Sequence, residues 1–234
     1  MATRKTTATG GFTGFPKGGE GWFHQLAAEM SRDWFLEHKG EYEALWQEPM
    51  GALLEDVRAR IAPTYKATGL ATPKIFRINR DVRFAKDTSP YKTHIAGLLS
   101  TGKGGSVTEQ AAALYVSFGM EELTAAGLWI FSPEQLARWR AALLDKKRGA
   151  ELDRILAALR ERDFSIDAHE SLVRVPKGFD PEHPRAELAR HKGLAVGFDG
   201  IPRGLIHKPA LVDWLAERSR TAAPLVTWLC KNVA

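Results

Sequence analysis

A chain of 234 residues, 44% hydrophobic and 26% charged, can bury a substantial core as one domain and lies far from the composition of disordered or membrane-spanning chains. No apolar run approaches the roughly 20 residues of a spanning helix, and the single Cys230 excludes an intramolecular disulfide and every zinc site built on paired thiolates. The formal net charge of +5 is too modest to define a partner, so its distribution matters more than its total.

Residues 1–11 are small, polar and basic, without the apolar stretch of a secretory signal; they are expected to form a disordered tail, with residues 12–234 as one domain in the reducing cytoplasm. From Glu20 to Ile61 apolar residues recur at helical spacing through Trp22, Phe23, Leu26, Met30, Trp34, Phe35, Leu53, Leu54, Val57 and Ile61. Ser31 suits the cap of a second helix, Gly40 its loosening or end, Pro49 the first turn of a third, and Pro63 the close of the section. The period changes at Lys74. Phe76, Ile78, Val82 and Phe84 alternate with Arg77, Asn79, Asp81 and Arg83, which predicts a strand over 74–85. A turn at Asp87-Thr88-Ser89-Pro90 leads to a second strand over Tyr91–Leu99.

Ala112–Met120 and Leu123–Phe131 read as a hairpin about Glu121-Glu122. Ser132-Pro133-Glu134-Gln135 is a compact helix start, followed by two helical faces parted near Gly149. Phe164–Val175 is expected to return to the sheet, and Pro176–Pro184 to form a rigid loop before a short helix that stops at Gly193. Leu194–Phe198 reads as a strand, and Pro209–Arg218 and Ala222–Lys231 as two closing helices. Hairpin-linked strands with helices gathered before and after them predict an α+β fold with a mainly antiparallel sheet.

Between Lys74 and His94 stand six of the 33 Lys and Arg residues and two of the 28 Asp and Glu, a net +4. Guanidinium and ammonium groups spaced along rigid backbone can hold a carboxylate or phosphate by charge-assisted hydrogen bonds. The expected ligand-binding set is Arg77, Arg80, Asp81, Arg83, Lys86, Asp87 and Lys92: Arg77 and Arg83 clamp, Lys86 and Lys92 add charge, and the aspartates orient. Arg80 falls on the apolar side of an unbroken strand, so it must meet a carboxylate or be turned outward by a bulge. Tyr91 and His94 are the nearest proton donors and hence the candidate catalytic residues. A ladder of internal ion pairs without a ligand is the structural alternative.

Gly97–Gly104 has the glycine and lysine spacing of a phosphate-binding loop, but Gly104 stands where Ser or Thr is needed to hold magnesium. Asp180, Glu182 and His183, or His169 with Glu170, lack partners at metal-ligand spacing. No metal and no particular cofactor is therefore implied. The tryptophans fall mostly on apolar faces, as core packing requires.

Phe76–His94 resembles the central block of the bacterial and fungal family known as domain of unknown function 2461. The flanking Arg32-Asp33-Trp34-Phe35 with Lys39 and Tyr42, and Pro176-Lys177-Gly178-Phe179-Asp180 with His183-Pro184, fit the same family. The similarity spans about Phe12 to Trp214; position 88 is threonine where the family has lysine. The resemblance implies an intracellular single-domain protein and brings no activity with it. The functional expectation therefore rests on the cations: a small phosphate- or carboxylate-bearing ligand, with or without chemistry upon it. A nucleic-acid module or a partner-binding, structural protein would use the same basic cluster.

Overall fold

The computed structural model describes residues 11–81, 88–102, 110–198 and 200–234. The expected tail, apart from Gly11, lies outside them. The N-terminal layer is built on aromatic packing. α1 (Gly19–Glu29) buries Trp22, Phe23 and Leu26, the face that a 3.6-residue period places together. α2 (Arg32–Glu37) starts where Ser31 Oγ accepts the Trp34 amide at 3.2 Å. It ends at His38 rather than at Gly40, which lies inside the short α3 (Lys39–Tyr42). A π turn, Glu43–Gln47, then runs directly into α4 (Glu48–Ile61). Pro49 offers no amide to the carbonyl of Leu45, and the turn that holds Leu45 widens accordingly.

Among the described residues, six strands form one antiparallel sheet in the order β1-β2-β3-β4-β6-β5. These are β1 (Lys74–Ile75), β2 (His94–Ser100), β3 (Ala112–Gly119), β4 (Leu123–Leu128), β5 (Phe164–Asp167) and β6 (Leu194–Phe198). The hairpin β3–β4 and strand β6 lie where they are expected, except that β4 ends at Leu128 rather than Phe131. The expected strand over 74–85 does not. Its regular pairing stops at Ile75 opposite Gly97 and resumes only as a single bridge between Asn79 and Tyr91. The slip between those pairs separates Phe76 from Ile78: Ile78 enters the core, while Phe76 turns to the other side against Tyr115, 6.2 Å between ring centroids. The slip also gives the Arg80 side chain a carbonyl, that of Tyr91, 3.1 Å from Nε. Residues 82–85 of the predicted strand lie outside the described residues.

The C-terminal half supplies the remaining helices: α5 (Pro133–Leu144), α6 (Lys146–Arg160), α7 (Ala186–Arg190) and α8 (Leu211–Asn232). The capping box is complete, with the Gln135 amide donating to Ser132 Oγ and the Ser132 amide to Gln135 Oε1. The break between α5 and α6 falls at Asp145, whose carboxylate accepts the Lys147 and Arg148 amides, and not at Gly149, which is buried inside α6. β5 ends at Asp167 instead of reaching Val175, because the Asp167 carboxylate takes the Ala168 amide at 2.8 Å and turns the backbone out of the ladder. The two expected closing helices are one. Ser219, Arg220 and Thr221 continue the helix, and Pro224 sits within it. α4 packs on β2, and α8 on β3 and β4. Among the described residues no helix is long and apolar enough to cross a membrane.

Candidate functional site

Strand alternation assigns each side of the sheet a different task. Ile95, Gly97 and Leu99 on β2 pair with Phe118, Val116 and Leu114 on β3, and this set faces the helices. A Cβ at Gly97 would stand 2.7 Å from Leu54 Cδ1 and 3.0 Å from Met50 Sδ, so glycine lets α4 settle on the strand. The intervening residues face the other way: Ala96 opposite Ser117, Leu98 opposite Tyr115, Tyr115 opposite Ala125, Ala125 opposite Gly197, and Gly127 opposite Ala195. Small side chains dominate that second face. They leave a recess of about 420 Å3 bounded by Phe76, Tyr115, Leu123, Trp129 and Ile130. A smaller, more polar recess of about 340 Å3 continues it past Ala125 and Ala195 toward Ser165 and Asp167.

The cationic segment forms one end of this groove. The Lys92 ammonium donates to the Arg77 carbonyl at 3.2 Å and stands 5.9 Å from the centre of the Phe76 ring, which the Lys74 ammonium also approaches at 5.2 Å. Burial, then the neighbouring Arg77 and Arg80, hold Lys92 below the ordinary lysine range. His94 lies below the ordinary histidine range because of burial first and Lys92 next, with Glu121 opposing and Arg80 adding to the shift. The charged neighbours that act on Lys92 are both cations, and at His94 the carboxylate of Glu121 opposes them. Arg77 meets Asp81 only at 3.9 Å, with both side chains well exposed, a pairing of little strength. Among the described residues no carboxylate pairs with Lys92.

The family model described as "Conserved hypothetical protein (DUF2461)" matches residues 21–228, nearly the whole described fold. The chain belongs to the DUF2461 family. No curated protein and no solved structure matches it.

In this DUF2461 protein the expected site residues fall into three groups. Lys92 and His94 line the groove, with Arg77 and Arg80 near enough to act on their charge. Asp81 sits beside Arg77. Tyr91 lies elsewhere: it is buried in the core with its ring stacked 4.5 Å from Phe35, and it does not line the groove. Arg83, Lys86 and Asp87 lie outside the described residues. The start of the phosphate-loop spacing, Gly97–Ser100, is strand β2 packed on α4 rather than a loop, and its Gly104 end lies outside the described residues. Asp180 and His183 take the Glu182 and Arg185 amides in tight turns. Among the described residues no group of three or more His, Cys, Asp or Glu is placed to hold a metal ion. Sequence reasoning missed the apolar part of the site: Phe76, Tyr115 and above all Trp129, which is 44% exposed and stacked on His169 rather than packed in the core. The period-two recurrence of Ala and Gly at 125, 127, 195 and 197 was the available signal.

Proposed function

We propose that this protein binds a small anionic ligand, bearing a carboxylate or phosphate, at the cationic end of the groove. The observation that carries the proposal is the Lys92 ammonium: partly buried, fixed by a carbonyl, crowded by Arg77 and Arg80, and without a carboxylate partner among the described residues. Crowding like charges in a partly dehydrated place is costly, and an anion relieves that cost. Arg77 can swing toward a ligand because its hold on Asp81 is loose. His94, the proton-carrying imidazole in the groove wall, is neutral at neutral pH and can donate one ring N–H or accept a proton from a bound molecule. These features support anion binding, with His94 as the group through which any proton transfer would run.

The test is a thermal-shift screen of phosphates and carboxylates, followed by calorimetric titration of those that respond. A ligand at 100 times its dissociation constant adds about 2.7 kcal/mol, on the order of 5–10 °C for a domain of this size. Lys92→Gln is expected to keep the fold and remove the response. A response that survives Lys92→Gln unchanged, or no response to any anion, overturns the proposal.

A further inference from the structure

We infer that the ligand is a carboxylate carried on a flat aromatic body, the carboxylate at Lys92 and the ring lying on the alanine and glycine floor. This rests on the anion-binding proposal and narrows it to a ligand class. The floor is the first observation. Ala96, Ala125 and Ala195 occupy strand positions that ordinarily favour β-branched residues, and each is 4–6% exposed beneath taller neighbours. Their small side chains bring the pleated backbone close to the groove, so the floor is broad and shallow and suits a plate better than a flexible chain.

The walls are the second observation. Phe76 and Tyr115 meet at 57°, and Trp129 lines the same recess beyond the end of β4. Rings set at an angle offer their edges and faces to a planar guest, the offset and edge-to-face contacts that aromatic pairs prefer. Charge is the third. Among the described residues lining the larger recess, Lys92 is the only Lys, Arg, Asp or Glu. Within the recess one ammonium beside the His94 imidazole matches the single charge of a carboxylate without drawing on Arg77 or Arg80, which do not line it. Among the described residues lining this recess no carboxylate is present to meet a basic group. The recess of about 420 Å3 is within the usual size of small-molecule sites, roughly 300–1,000 Å3.

The experiment titrates the full-length protein with 2-naphthoate, its neutral amide 2-naphthamide, acetate and inorganic phosphate, read by calorimetry and by tryptophan fluorescence. Naphthoate is expected to bind, the amide at least about tenfold more weakly for want of the charge-assisted contact. Ala125→Leu, which raises the floor, is expected to remove naphthoate binding while the thermal transition shows a folded protein. Should that variant not fold, the comparison of acid and amide on the natural sequence still decides. If acetate or phosphate binds as tightly as naphthoate and depends on Lys92, the aromatic body is refuted and the anion site stands. If the amide binds as tightly as the acid, the groove is merely apolar and both readings fall. Silence from every anion also ends both.

Discussion

At Lys92 and His94 the same positive field that would hold an anion also sets a pH signature. Both groups titrate below their ordinary values, chiefly through burial and then through neighbouring cations. In the free protein each therefore binds fewer protons than in the unfolded chain over the window just beneath its ordinary value, about 10.5 for Lys92 and 6.5 for His94. Stability falls as pH drops through each window. A bound anion reverses the preference, because it favours the charged form of both. With a sulfonate probe, whose own charge is constant, affinity is expected to rise as pH falls through and below about 6.5, where His94 gains its proton. It should decline on the alkaline side before the ordinary lysine value is reached. His94→Asn should flatten the acid limb, and Lys92→Gln should abolish the alkaline one together with most of the affinity. Calorimetric titrations across the range check this, and a level profile in the natural protein would contradict it.

Single side chains also decide where the elements meet. Gly149 looks like a helix breaker in the sequence, yet it lies inside α6 because Arg185 crosses the helix there. Arg185 Nε and Nη2 hold the Asp153 carboxylate, the shortest contact being 2.7 Å, and Nη1 donates to the Leu143 carbonyl at 3.0 Å. An added Cβ would stand 2.4 Å from that guanidinium. Gly149→Ala should therefore gain up to about 1 kcal/mol of helix propensity and lose more by pushing the Arg185 guanidinium off the half-exposed Asp153 carboxylate and the Leu143 carbonyl, a net cost of about 0.5–1.5 kcal/mol. Urea unfolding measures it, and a neutral or stabilised variant would refute the packing argument. The element scale also shows what the sequence made legible. The capping box at Ser132, the Ser31 cap and the apolar runs of strands β3, β4 and β6 depend on neighbours within a few residues, and all could be read. The end of the strand at Ile75, the continuity of α8 through Ser219 and Pro224, and the placement of Tyr91 against Phe35 depend on partners far away in the chain. The cationic end of the site was legible as a charge cluster. Its apolar floor showed only as alternating Ala and Gly at 125, 127, 195 and 197, because residues on separate strands become one surface only when the sheet is assembled.

That assembly runs through α8, which accepts a hydrogen bond from the N-terminal layer and donates others to β3, α4 and α6. The Tyr65 hydroxyl, from the segment after α4, donates to the Ser219 carbonyl at 2.9 Å, and Ser219 Oγ donates to the Ala113 carbonyl of β3 at 2.7 Å. Trp228 Nε1 reaches the Arg148 carbonyl of α6 at 3.2 Å, and Arg220 reaches the Arg60 carbonyl of α4 at 2.8 Å. Tyr65 and Ser219 are both fully enclosed, and burial pushes the Tyr65 hydroxyl above the ordinary tyrosine range. Two oxygens 3.2 Å apart, Tyr65 Oη and Ser219 Oγ, thus tie the N-terminal helical layer, α8 and the middle of the sheet into one network. Removing either hydroxyl leaves a buried carbonyl short of a donor, a cost of about 1–3 kcal/mol, or on the order of 2–4 °C for each kcal/mol. Tyr65→Phe and Ser219→Ala should each lower the thermal midpoint by that amount while unfolding stays a single transition. The double variant should lose less than the sum, by about 0.5–1.5 kcal/mol, because the second deletion removes a partner the first has already weakened. Strict additivity would mean that the two hydroxyls act separately and that no network couples the N-terminal layer to the sheet through Ser219.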